Sequence, residues 1–263
     1  MFMIEMSRMT ILIADKVGHQ FGGLSAVTDF NLNLHYGDLM GIIGPNGAGK
    51  TTVFNLITGV YQASEGSIFF KGIEIVGKQP NQIAALRIGR TFQNIRLFRE
   101  LSVLDNVRIA HYAQANYSLL EGLLHLGRYQ KEEQRIINNS RQLLSIFKLE
   151  HVAGELAKNL PYGLQRRLEI ARALAISPEL LLLDEPAAGM NPHEIEELMV
   201  LIQWVRQEFK LTILLIEHQM KLVMGICERI QVLDFGETLA EGPPSMIQNH
   251  PKVLEAYLGE IPG

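Results

Sequence analysis

A chain of 263 residues, 47% apolar and 20% charged, can bury a large core and has the composition of an ordinary globular protein. Its net charge of −4, from 24 basic and 28 acidic residues, argues against a surface built to wrap nucleic acid. The single cysteine, Cys227, excludes an internal disulfide, fits a reducing compartment and is expected to pack in the core. The first nine residues lack the charged start, long apolar stretch and small-residue cleavage site of a signal peptide. The longest apolar runs, Leu180–Leu183 and Leu211–Ile216, are too short to span a bilayer. A disordered start and a cytosolic protein are expected, unless a partner holds the chain at a membrane.

Taken in chain order, Thr10–Ala14, Phe30–Leu34, Leu39–Ile43 and Ser67–Phe70 read as strands, punctuated by Tyr36-Gly37-Asp38 and Glu65-Gly66. Lys50–Thr58 reads as a helix stopped by Gly59. From Pro80 to about Ala175 the pattern is mostly helical. Within it Asn116–Gly127 is loosely patterned, and Gln130–Phe147 is a charged helix expected to bury Ile136, Ile137, Leu143, Leu144 and Phe147. Leu180–Leu183 reads as a doubly buried parallel strand, Glu194–Phe209 as an amphipathic helix and Leu211–Ile216 as a second buried strand. Ile230–Leu233 and Glu237–Ala240 read as a hairpin, and Pro251–Leu258 as a short terminal helix. This alternation predicts an α/β fold with a parallel-sheet core, an antiparallel β subdomain and an inserted helical subdomain. The expected boundaries are 10–92 and 176–248 for the core with its β subdomain, 93–175 for the helical insertion and 249–263 for the end.

The most informative segment lies between the strand ending at Ile43 and the helix starting at Lys50. Gly44, Pro45, Asn46, Gly47, Ala48, Gly49, Lys50, Thr51 and Thr52 contain the pattern G-x-x-x-x-G-K-[ST]. Glycines without side chains let backbone N–H groups curl around a polyphosphate. Lys50 reaches β- and γ-phosphates, and the Thr51 hydroxyl is a ligand for Mg²⁺. The helix N-terminus adds partial positive charge.

A cradle alone hydrolyses nothing; it needs a carboxylate for the metal and a group to position water. Asp184 follows four leucines at the C-terminal end of a buried strand, where open α/β sheets bind ligands. It is expected to hold Mg²⁺, with the adjacent Glu185 orienting or deprotonating the attacking water. His218 follows the second buried strand and is a candidate γ-phosphate sensor, although a lone histidine is more often structural. Gln93 could reach metal or water but is unremarkable by composition. Phe21, before Gly22-Gly23, could stack on a base, although core packing is the ordinary role of a lone aromatic.

These residues in this order resemble the ABC-transporter nucleotide-binding subunit over the whole chain. The P-loop is followed by a glutamine loop at Gln93 and a signature-like segment, Leu160, Pro161, Tyr162, Gly163, Leu164 and Gln165. Then come Leu180–Glu185, a D-loop at Ala188–Asn191 and the switch-like His218. The resemblance implies an ATPase using ATP and Mg²⁺. In it Phe21 stacks on adenine, Thr51, Gln93 and Asp184 attend the metal, Glu185 is the general base and His218 contacts the γ-phosphate. It implies a head-to-tail pair of ATPase subunits, a heterodimer or a homodimer, with each ATP between one chain's P-loop and the other's signature. It also implies two transmembrane permease subunits, an extracytoplasmic substrate-binding protein acting indirectly, no nucleic acid, and a peripheral place on the cytoplasmic face of the cell membrane.

Arg90–Val107, the insert Ala110–Arg135, Leu215–Met224 and Val253–Gly259 are further similar to an ATPase chain of bacterial branched-chain amino-acid importers. Rival readings keep the ATPase but change its cargo to urea, short amides or an exported lipid. Others make it a soluble ATP-dependent switch, or a nucleotide-binding protein without turnover; intact Lys50, Asp184, Glu185 and His218 argue against the last. Two departures stand out. The usual Leu-Ser-Gly-Gly-Gln signature has Pro161 and Tyr162 in place of Ser and Gly, and Leu164 in place of Gln. Pro161 offers neither hydroxyl nor N–H. A helix starting near Gly163 would keep free N–H groups for an anion. The D-loop carries Asn191 where aspartate is usual.

Overall fold

A computed structural model describes residues 9–112 and 127–258. The start of the chain, residues 259–263 and all of Asn116–Gly127 except its last residue lie outside the described residues, as does much of the insert Ala110–Arg135. The elements run Thr10–Phe21 (β1), Leu24–His35 (β2), Leu39–Ile43 (β3), Lys50–Ile57 (α1), Glu65–Phe70 (β4), Ile73–Glu74 (β5), Pro80–Ala85 (α2) and Ile88–Arg90 (β6). Then come Val103–His111 (α3), Gly127–Ile146 (α4), Tyr162–Leu174 (α5), Leu180–Asp184 (β7), Pro192–Glu208 (α6) and Thr212–Ile216 (β8). Met220–Ile226 (α7), Arg229–Asp234 (β9), Glu237–Gly242 (β10), Pro244–Ile247 (α8) and Pro251–Leu258 (α9) complete the order.

The chain divides into two compact units, 1–83 with 179–263, and 84–178. The first holds two sheets. One is antiparallel, in the order β2-β1-β4-β5. In the other β9, β3, β8 and β7 lie side by side and parallel, with β10 antiparallel at the β9 edge. β3, β7 and β8 are buried at every position. That is why they read as unbroken apolar runs: a parallel strand is covered on both faces. Register aligns Ile42 with Ile216 and Asp184 with Ile216. The chain therefore leaves β3, β8 and β7 at one level of the same sheet edge, and everything that follows those strands meets there.

The departures from expectation have local causes. β1 runs on to Phe21, because a bulge between Ala14 and Val17 absorbs the polar pair Asp15-Lys16. Lys16 takes a left-handed φ of 48° there, and its N–H donates to Asn31 Oδ1 at 3.0 Å. Gly66 does not separate strands. It lies inside β4, at φ 76°, where the pairing with β1 slips. β2 likewise begins before Phe30, at Leu24. In the second unit α4 buries Ile136, Leu143 and Leu144, but Ile137 is only half-buried and Ser140 takes the core position. Phe147 is buried just past its end. Cys227 packs in the core against Gly41, and burial, with the Glu228 carboxylate nearby, pushes its thiol up to about 12. No helix among the described residues is long and apolar enough to cross a membrane.

Candidate functional site

The loop 44–49 joins β3 to α1, and neighbouring backbone closes on two of its glycines, Gly44 and Gly49, while Gly47 is exposed with open space around it. A Cβ on Gly44, at φ 149°, would lie 2.0 Å from the Leu233 carbonyl oxygen; one on Gly49, at φ 97°, would lie 2.5 Å from that of Ala26. The β9–β10 turn braces the loop from outside: Gly236 N–H donates to the Ala48 carbonyl at 3.1 Å, and Thr28 N–H donates to the Gly236 carbonyl at 2.9 Å. Lys50 is 6% exposed, and its Nζ donates to the carbonyls of Gly44 at 2.8 Å and Pro45 at 2.7 Å. Its ammonium therefore lies against the loop it is expected to serve. Asn46, Gly47 and Thr51 are exposed, whereas Pro45 and Ala48 are buried and Thr52 is half-buried. α1 has no acidic residue in its first turn and no side chain capping its N-terminus. An N-terminus without acidic residues or a side-chain cap directs its partial positive charge toward an anion.

On the same edge Asp184 ends β7, almost fully buried. Glu185 follows in a left-handed conformation, φ 46°, with its N–H donated to the Ile216 carbonyl at 2.9 Å. Its Oε1 lies 2.9 Å from His218 Nε2. With the proton on Nε2, the ring donates to the carboxylate. The two residues that chemistry would pair are thus in contact, from strands adjacent in the sheet. Phe21 ends β1, is 46% exposed and stands edge-on to His19 and Tyr61 at 4.6 Å and 5.2 Å. His19 and Tyr61 stack on each other at 5.2 Å, so the aromatic expected to receive a base belongs to a braced cluster.

Among the described residues no three His, Cys, Asp or Glu side chains gather as a metal cluster. One buried carboxylate and one exposed hydroxyl form a donor set that fits Mg²⁺ held largely by phosphate oxygens and water, not by an all-protein cage.

The second unit carries Gln93 and the signature segment, and they are linked there. α5 begins at Tyr162 with Pro161 as its N-cap, whose carbonyl accepts Gln165 N–H at 3.0 Å. Gln165 Nε2 donates to the Leu160 carbonyl at 2.8 Å. Pro161 and Tyr162 are exposed, Gly163, Leu164 and Gln165 half-buried and Leu160 buried. The first turn of α5 has no acidic residue and no side-chain cap, so proline there leaves an N-terminus open to an anion. One turn on, Arg166 and Glu169 form an ion pair at 2.7 Å with both side chains fully buried. Arg166 donates to the carbonyls of Phe92 at 2.8 Å and Gln93 at 3.0 Å, while Glu169 Oε1 accepts Phe92 N–H at 3.1 Å. Sequence reasoning missed this pair; its i,i+3 spacing on a helix is the signal that could have found it. It also missed Glu217, hidden as one polar letter after an apolar run. Asn191 is the N-cap of α6, its Oδ1 accepting from the N–H groups of His193 and Glu194 in a capping box. The residue that departs from the usual aspartate therefore does an aspartate's capping work.

A family profile described as ABC transporter matches residues 27–188, and one described as branched-chain amino acid ATP-binding cassette transporter matches 237–261. The chain is 47% identical over 241 residues to the high-affinity branched-chain amino acid transport ATP-binding protein LivG of Escherichia coli (strain K12), covering 92% of this chain and 94% of that one. It is 44% identical over 250 residues to the BraF protein of the same description from Pseudomonas aeruginosa, covering 95% and 98%. The lipopolysaccharide export system ATP-binding protein LptB of Haemophilus influenzae is 31% identical over 252 residues, covering 96% and 98%. Among solved structures, the ADP conformation of an ATP-binding cassette of an ABC transporter superposes with a TM-score of 0.83 at 31% identity, covering 96% of this chain and all of that one. A dimeric cassette in a post-hydrolysis state bound to ADP and Pi gives 0.76 at 25% identity, covering 89% and 99%.

Proposed function

Since this chain belongs to the ABC transporter family of ATP-hydrolysing cassettes, we propose that it powers import of branched-chain amino acids through partner permeases. The observation that carries the cargo is the 44–47% identity, over nearly the whole chain, to branched-chain amino acid transport ATP-binding proteins. The lipid-export relative stands at 31%.

The site supports a direct division of labour. The cradle 44–52 binds the polyphosphate through backbone N–H groups and the α1 N-terminus, with Phe21 stacking on the adenine. Lys50 turns its ammonium from the Gly44 and Pro45 carbonyls to the β- and γ-phosphates, exchanging two neutral acceptors for charged ones. Thr51 and Asp184 would hold Mg²⁺, and the resemblance implies Gln93 as a further ligand; the ion would neutralise phosphate charge. Glu185 accepts the proton of the attacking water. The His218 Nε2–H that meets Glu185 at 2.9 Å is the same group that donates to a γ-phosphate oxygen. Moving it there frees the carboxylate for water.

A second ATPase subunit completes each ATP site with its signature, and two permeases seat the pair on the cytoplasmic face of the membrane. A heterodimer makes the two sites unequal: this chain's P-loop hydrolyses, and the site completed by Pro161–Gln165 is weaker. We infer that 93–175 serves as the helical subdomain that carries Gln93 and the signature.

The test isolates the chain from membranes with its partners and reconstitutes them in vesicles with the substrate-binding protein. ATP-dependent accumulation of leucine is expected. Accumulation of urea without leucine, or none while ATP is hydrolysed, would overturn the cargo.

A further inference from the structure

Glu217, the residue after β8, is 2% exposed, and among the described residues no cationic side chain pairs with it. Three backbone N–H groups satisfy it instead. Oε1 accepts from Ala187 at 2.7 Å; Oε2 accepts from His218 at 2.7 Å and Gln219 at 3.0 Å. A buried carboxylate is tolerated only when hydrogen-bonded in this way, and bonds to its ionised form are the strong ones. These donors belong to two different loops. Ala187 lies two residues beyond Glu185, on the loop leaving β7; His218 and Gln219 lie on the loop leaving β8. One carboxylate therefore ties together the loops that carry Glu185 and His218. The tie also bears on strain. Glu185 holds φ 46°, which a non-glycine residue keeps only where its surroundings over-determine it. The bonds at Glu185 N–H and Ala187 N–H fix that turn from both sides.

We propose that Glu217 is a positioning residue for hydrolysis, setting the Glu185–His218 contact by latching the two loops without touching nucleotide. This rests on the reading that Glu185 and His218 serve hydrolysis. No other side chain of that length satisfies all three donors. Glutamine has one acceptor oxygen and turns an NH₂ toward N–H groups on one side of the latch. Aspartate is one methylene too short to span both loops.

The experiment measures ATP turnover and ATP affinity in the assembled complex for the original protein, Glu217→Gln, Glu217→Asp, His218→Ala and the Glu217→Gln/His218→Ala double variant. Expected is at least a tenfold fall in kcat for Glu217→Gln with ATP affinity within twofold, and a smaller fall for Glu217→Asp. The double variant should turn over within about twofold of His218→Ala alone, because residues that act through one another are not additive. Losses that multiply, or a fall in affinity matching the fall in kcat, would overturn the proposal and leave Glu217 a merely structural group. Should neither Glu217 variant fold, amide exchange in the unaltered protein decides. Slow exchange at Ala187, His218 and Gln219 supports the latch, and fast exchange at Ala187 overturns it. Turnover unchanged in both His218→Ala and Glu185→Gln would instead overturn the underlying reading, and the proposal with it. Turnover lost in those two but kept in Glu217→Gln overturns the proposal alone.

Discussion

The phosphate cradle of the first unit and the signature region of the second each hold a loop still, but with different materials. The cradle is held by backbone. Its glycines let the loop lie against the carbonyls of Ala26 and Leu233, and the Gly236 turn closes over it. The signature region is held by two buried charges. Arg166 and Glu169 grip Phe92 and Gln93 through main-chain groups, and Pro161 starts the helix with no side-chain cap. The difference teaches where each region tolerates change. A backbone-built loop fails at its glycines and nowhere else as sharply. A charge-built one fails when a single partner is lost but tolerates a new residue at the exposed helix start.

Substitutions sharpen that contrast, beginning with the largest effect. Gly44→Ala places a Cβ 2.0 Å from the backbone carbonyl oxygen of Leu233, so main chain must shift to admit it. A loss of at least about 4 kcal/mol in stability is expected, the range reserved for such clashes, together with loss of nucleotide binding. Thermal unfolding and a fluorescent-nucleotide titration measure both, and an unaltered titration would break the backbone-built picture. Next is Arg166→Met, which removes the ion-pair partner of the buried Glu169, leaving it the weaker pull of the Arg172 guanidinium, and should cost about 3 kcal/mol, the low end for a broken buried pair. Arg166→Met with Glu169→Leu should recover part of that loss. Chemical denaturation reads both, and equal losses in the single and double variants would show that the pair's charge is not what matters. Smallest is Pro161→Ser. It restores the usual hydroxyl at the exposed, uncapped N-cap of α5, where a serine oxygen accepts from the helix's own N–H groups, and should raise stability by about 1 kcal/mol. One added hydrogen bond, about 1 kcal/mol, should tighten ATP-dependent association of the ATPase pair about fivefold. No change in association, read by analytical ultracentrifugation, would mean the N–H groups of α5 already suffice.

The same contrast explains what was legible in the sequence. The glycine pattern, the apolar runs of β3, β7 and β8 and the carboxylates at the end of β7 are local signals, each fixed by a few adjacent residues. The α/β architecture and the Gly44–Thr52 loop could be read from them. The length of β1 could not, because its bulge at Lys16 depends on Asn31 in another strand. Periodicity alone puts Ile137 in the core, and the fold gives that place to Ser140. Glu217, Arg166 and Glu169 are long-range or buried polar devices. Polar letters are read by default as surface, and only the fold reveals the main-chain groups they satisfy: carbonyls for Arg166, N–H groups for Glu169 and Glu217.

The division of labour between Lys50, which binds, and Glu185, which hydrolyses, is tested most directly by single-turnover ATP cleavage in the assembled complex carrying Glu185→Gln. ATP should bind with affinity within about twofold of the original protein, because Gln keeps the shape, while cleavage slows at least about 100-fold, as for the loss of a general base. Cleavage at the original rate, with ATP bound, would contradict it.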